Sequence, residues 1–141
     1  MLASETTVVL EGDQHDFAGI RALVLDAARE VGFADRDAWG IVSAVFEAVA
    51  NALHHGRKGG RGRIVVHIRA YADRFEAVVQ DSGGGIAAPA DSRMPGPASS
   101  RGRGIPLMKT FMDEVKFEFD GGCKVTLSKS LRKNAGRQDT G

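Results

Sequence analysis

The chain has 141 residues, 43% of them hydrophobic, and a formal net charge of +1. That is the size and balance of one globular domain with a real core, and near-neutrality argues against a global basic field for nucleic acid. A single cysteine excludes an internal disulfide, no apolar run approaches the ~18 residues of a membrane span, and no signal peptide is visible, so the expected location is the cytoplasm.

Thr6-Thr7-Val8-Val9-Leu10 is short and β-branched, which predicts a first strand. Asp13 or Asp16 can cap the helix that follows, whose apolar stripe is Phe17, Ile20, Leu23, Val24, Ala27, Ala28 and Val31, and Gly32 can end it. Asp35 suits the N-cap of a second helix running to about His55, with Asp37 near its positive end and Gly56 at its C-cap. Trp39, Val42, Val45, Phe46, Val49, Ala50 and Leu53 recur at helical spacing as its apolar face. Ser43, Glu47 and Asn51 step by four along a strip beside it.

Residues 57–63 form a basic, glycine-rich connection, read as a solvated linker in preference to a phosphate contact. Ile64, Val66, Ile68 and Ala70 then alternate with Val65, His67, Arg69 and Tyr71, and after a turn at 72–74, Phe75, Ala77 and Val79 alternate with Glu76, Val78 and Gln80. This predicts a hairpin. Continuing the period puts Asp81 on the core face, where a carboxylate costs several kcal/mol, to order of magnitude, unless something binds it. It is the most informative position in the sequence.

Gly83-Gly84-Gly85 follows, then a stretch of Ala, Pro, Ser and Gly to Ser100 that reads as a lid, about 86–101. Arg101-Gly102-Arg103-Gly104-Ile105-Pro106 opens a third helix, with Pro106 in its first turn and Ile105, Met108, Phe111 and Met112 facing the core. Val115, Phe117 and Phe119 alternate as a strand, Asp120-Gly121-Gly122 turns the chain, and Cys123, Val125 and Leu127 form its partner. Cys123 reads as a small core residue. Residues 132–141 read as a disordered tail. The order β-α-α-β-β-lid-α-β-β predicts an α/β fold: a two-layer sandwich with a mixed, mostly antiparallel sheet and helices on one face.

Glycine clusters flank the lid, and the second precedes a helix whose N–H groups favour an anion. No Walker A loop is present, because no Gly-Lys-Ser/Thr follows. Adjacent His54 and His55 point about 100° apart, and with no second His/Cys cluster they do not make a zinc site.

Taken in order, Glu47-x-x-x-Asn51 on a helix, Asp81-x-Gly83-x-Gly85 after a strand, a lid, and Gly102-x-Gly104 before a helix resemble the GHKL ATPases, a group that includes gyrase, histidine kinases and mismatch-repair proteins. Within that group the motifs, and the ending Met112-Asp113-Glu114-Val115, look like the anti-sigma factor serine/threonine kinases. The resemblance covers about residues 7–130. It implies the Bergerat ATP-binding fold over residues 1–131, with ATP and Mg²⁺ as cofactors. By resemblance, Asn51 binds Mg²⁺ and Asp81 accepts a hydrogen bond from the adenine amino group. Gly83, Gly85 and Ile86 let backbone approach the base. Gly102, Arg103, Gly104 and Ile105 meet the phosphates, and Glu47 is the general base. The family's arginine two positions before G-x-G is Ser100 here, leaving Arg101 or Arg103 for the γ-phosphate. The family's Gly-Thr in the last hairpin is Gly122-Cys123.

The resemblance further implies phosphorylation of an anti-sigma factor antagonist, binding of a sigma factor, and a homodimer that touches neither nucleic acid nor membrane. Two alternatives stay open: a non-catalytic ATP-binding regulatory module, and the catalytic domain of a different signalling system.

Overall fold

The computed structural model describes residues 2–11, 17–56, 63–81, 104–119 and 122–131. The expected lid and tail lie outside them. Among the described residues the elements run β1 (Leu2–Glu11), α1 (Phe17–Val31), α2 (Asp35–Gly56), β2 (Arg63–Tyr71), β3 (Arg74–Asp81), α3 (Gly104–Phe111), β4 (Glu114–Phe119) and β5 (Cys123–Ser130). No helix here is long and apolar enough to cross a membrane.

The five strands form one sheet in the order β1-β2-β3-β5-β4. Every pairing is antiparallel, so the sheet is less mixed than expected. β2 and β3 form the expected hairpin, β4 and β5 another, and β5 enters between β3 and β4. The period of two sends one side of every strand towards the helices. Across the sheet on that side lie Val66, Val79 and Val125 in register, and beside them Ile68, Ala77, Leu127 and Val115. Ile64, Phe75 and Leu127 are fully buried there, each contributing about 1.5–3 kcal/mol by leaving water.

α1 meets this layer through Ile20, Val24, Ala28 and Val31, as read from its spacing, and adds Leu25. Phe17, expected in the stripe, is 38% exposed and leans on Phe46 instead, ring centroids 6.0 Å apart. Gly32 ends α1 at φ +118°, and the Gly32 and Phe33 N–H groups both donate to the Ala28 carbonyl, at 3.2 and 3.1 Å. A left-handed residue there closes the free carbonyls of the last turn.

Two details of α2 differ from expectation. The Ala34 carbonyl accepts the first helical bond, from Ala38 N–H at 2.9 Å, so Asp35 is the first helical residue and not the cap. Its carboxylate pairs with Arg29 Nε at 3.2 Å. The buried face is Ala38, Ile41, Val42, Ala44, Val45, Ala48, Val49 and Ala52, whereas Trp39 is 46% exposed and Ala50 is also exposed. Alanines face inward because α2 lies between the sheet and two other helices, where short side chains allow close approach.

β1 begins four residues before the predicted strand, and a register irregularity between Leu2 and Ser4 explains why its start shows no alternation. The sheet's other face carries a charge ladder. Arg69 donates to Glu5 Oε2 at 2.8 Å and to Glu76 Oε1 at 3.0 Å, and the Tyr71 hydroxyl reaches the same Glu76 oxygen at 3.3 Å.

Candidate functional site

Asp81 ends β3 on the helix-facing side and is 5% exposed, the one buried charged residue among the described residues. The strand's alternation puts it there, directly across from fully buried Ile64. The Cys123 backbone N–H donates to Asp81 Oδ1 at 3.2 Å. This bond ties the end of β3 to the first residue of β5. A carboxylate offers about four acceptor positions, so a group that also accepts bonds from a ligand is chemically consistent with this seat.

Cys123 is partly buried, not fully in the core. Burial, reinforced by the Asp81 carboxylate, pushes its thiol up to about 12. A thiol so held is neutral and a poor nucleophile, which agrees with its reading as a packing residue.

Glu47 and Asn51, one turn apart on α2, are both half-buried, and Ser43 is exposed. They sit at the edge of the buried face, where the step of four put them. A residue to which the sequence reading gave no role shows what that edge faces. A methyl group built on Gly40 would overlap Phe111 Cδ1 and lie 3.0 Å from Cγ and Cε1 of the same ring. Glu47 and Asn51 follow Gly40 by seven and eleven residues, which at about 100° per residue aligns them within about 20° of its direction. The edge carrying the acid and the amide is therefore the edge turned to α3. A glycine inside an otherwise helical pattern was the available signal, since it costs about 1 kcal/mol against alanine without a packing reason.

Gly104 and Ile105 open α3, as predicted, and Met108 and Met112 are buried beneath it. Phe111 is partly buried. Asp113, in the Met-Asp-Glu-Val stretch, fixes the end of this unit. Its N–H donates to the Ser128 carbonyl at 2.9 Å, and its Oδ2 accepts from Ser130 N–H at 2.8 Å. Gly83, Gly85, Ile86, Arg101, Gly102 and Arg103 lie outside the described residues. Among those described, no group of three or more His, Cys, Asp or Glu side chains is placed to hold a metal ion.

A buried acid at a strand end, an acid and an amide on the neighbouring helix, and a glycine-started helix facing them occur within a five-stranded antiparallel sheet under helices. The model of the histidine kinase-like ATPase domain matches residues 10–129, and the chain belongs to that family. The catalytic domain of the histidine kinase ThkA shares the fold, with a TM-score of 0.54 at 15% identity over 81% of this chain and 88% of that one.

Among named relatives, the serine-protein kinase RsbW of Bacillus licheniformis is 33% identical over 130 residues, covering 84% of this chain and 81% of that protein. RsbW of Bacillus pumilus is 30% identical over 138 residues, covering 89% and 85%, and RsbW of Bacillus subtilis is 29% identical over 138, covering 90% and 86%. By family the chain is thus a protein serine kinase, as the motifs imply.

Proposed function

We propose that this protein is an ATP- and Mg²⁺-dependent serine/threonine kinase of the anti-sigma type. It phosphorylates a small anti-sigma factor antagonist and holds a sigma factor by binding alone, as a homodimer in the cytoplasm. The observation that carries the reading is Asp81, 5% exposed at the end of β3 on the side that faces the helices. Its carboxylate accepts from the Cys123 N–H and has about four acceptor positions in all, so it can also take a hydrogen bond from a donor such as a purine amino group. The named relatives support serine as the phosphate acceptor.

In this reading residues 1–131 are the nucleotide domain, 86–101 the lid and 132–141 a tail. Asp81 fixes the adenine, with Gly83, Gly85 and Ile86 along the base. The backbone of Gly102, Arg103, Gly104 and Ile105 holds the phosphates at the start of α3, where unpaired N–H groups and the helix dipole favour negative charge. Arg101 or Arg103 meets the γ-phosphate. Mg²⁺, held by the Asn51 amide oxygen, would neutralise charge on the phosphates; one hard oxygen beside phosphate oxygens suits an ion that keeps few protein ligands.

Glu47 takes the proton of the antagonist's hydroxyl as that oxygen bonds to the γ-phosphorus. The bond from phosphorus to the β,γ-bridging oxygen breaks, and ADP leaves with the electron pair.

The test is incubation with γ-labelled ATP and candidate antagonists. Acid-stable label on serine or threonine, lost in Glu47→Ala while ATP binding persists, is the expected result. Binding without transfer to any antagonist points to a regulatory module, and acid-labile label on histidine to a different signalling system.

A further inference from the structure

The geometry points to Gly40 as a positioning residue that sets how close the phosphate-holding helix α3 stands to Glu47 and Asn51. This rests on the nucleotide site proposed above. The C-terminal end of α3 is fixed on three sides. Phe111 occupies the space a side chain at Gly40 would fill. Met108 beneath it is fully buried. Asp113, two residues on, is bonded through its N–H and its carboxylate to β5.

From that fixed end the helix has only one direction to run. α3 lies against α2 more extensively than against any other element and is eight residues long, about 12 Å. α2 reaches back only about 8 Å from Gly40 but continues forward past Glu47 and Asn51, about 10 and 16 Å along its axis. Packed lengthwise, α3 therefore brings its first turn beside those two residues. Glycine is what permits the short separation at the other end. A methyl group at position 40 forces the Phe111 ring, and with it α3, away from α2. Misplacing a positioning group by about 1 Å costs up to about 100-fold in rate.

Two ligands separate this from general damage, because only one of them has phosphates. Gly40→Ala is expected to weaken Mg·ATP binding about tenfold or more, as loss of one hydrogen bond to a charged group does, while leaving adenosine, which reaches Asp81 but not α3, within about twofold. The double variant Gly40→Ala/Phe111→Leu, which makes room for the methyl group, is expected to recover most of the Mg·ATP affinity. Equal loss for both ligands, wild-type Mg·ATP affinity in Gly40→Ala, or no recovery in the double variant overturns the assignment. Should Gly40→Ala not fold by circular dichroism, Phe111→Ala carries the test. It removes the ring from its seat and is expected to show the same selective loss, and unselective or absent loss overturns the assignment. Failure of the wild-type protein to bind Mg·ATP would instead remove the nucleotide site itself, and is seen before any variant is made.

Discussion

The backbone N–H of Cys123 donates to the Asp81 carboxylate, so the first residue of the neighbouring strand helps to orient the buried acid. The Cys123 side chain is thereby placed beside a carboxylate in partly buried surroundings. Its thiol keeps its proton up to about 12, against an ordinary value of 9.0. Between those values an unfolded chain gives up the proton while the folded chain keeps it. Folding stability is therefore unaffected by this group below about pH 9 and falls as pH rises from there towards 12. Urea denaturation at pH 8, 9.5 and 10.5 should show that decline reduced in Cys123→Ala relative to wild type. At pH 8 iodoacetamide should modify the folded protein at less than about 1% of the rate of a free thiol.

Glu47 and Asn51 share one edge of α2 but have different chemistry, and their variants should separate. Glu47→Gln keeps the shape and removes the base, so phosphoryl transfer should fall about 10²–10⁴-fold with Mg·ATP affinity within about threefold. Asn51→Ala should weaken Mg·ATP binding itself and flatten its dependence on Mg²⁺ concentration. Paired binding and single-turnover measurements on each variant check this.

Arg69 bridges Glu5 and Glu76 on the sheet face away from the helices, and those two hydrogen bonds hold its pKa above the ordinary value. Glu76 is the more buried partner. Arg69→Met should cost about 1–2 kcal/mol, seen as a melting temperature lower by about 3–6 °C. Because this ladder is on the opposite side of the sheet from Asp81, Mg·ATP affinity should not change. A large change in affinity would mean the two faces are coupled.

Gly32 stands at φ +118° with Leu131 Cδ2 3.2 Å from where a Cβ would be. Gly32→Ala should therefore destabilise by about 1–2 kcal/mol through backbone strain, measured by thermal unfolding, and again without effect on nucleotide affinity.

The strands were legible because their alternation is clean. Ile64 to Ala70 alternate without a break, Phe75, Ala77 and Val79 keep the same period on the core face although Val78 is buried on the other, and extending that period was enough to bury Asp81. The family was legible because Glu47, Asn51, Asp81 and the glycines occur in one order. Less legible was which side of α2 is which. Its wheel carries apolar residues nearly all round, so large side chains such as Trp39 drew the expected face towards themselves, while the small Ala44 and Ala48 take the inner positions. The Gly40–Phe111 contact joins residues far apart in the chain, and no local pattern encodes a long-range fit. The first residues of β1 likewise pair through a register irregularity that hides their alternation.

The central claim is that Asp81 is kept buried in order to hold an adenine ring. Calorimetric titration of Mg·ATP into wild type and Asp81→Asn tests it directly. A hydrogen bond to a charged acceptor contributes about 1.5–3 kcal/mol, so the account predicts a saturable heat in the wild type and an affinity about 10- to 100-fold weaker in the variant, with the fold retained by circular dichroism. Equal affinity in the two proteins, or no binding heat in the wild type, would contradict it.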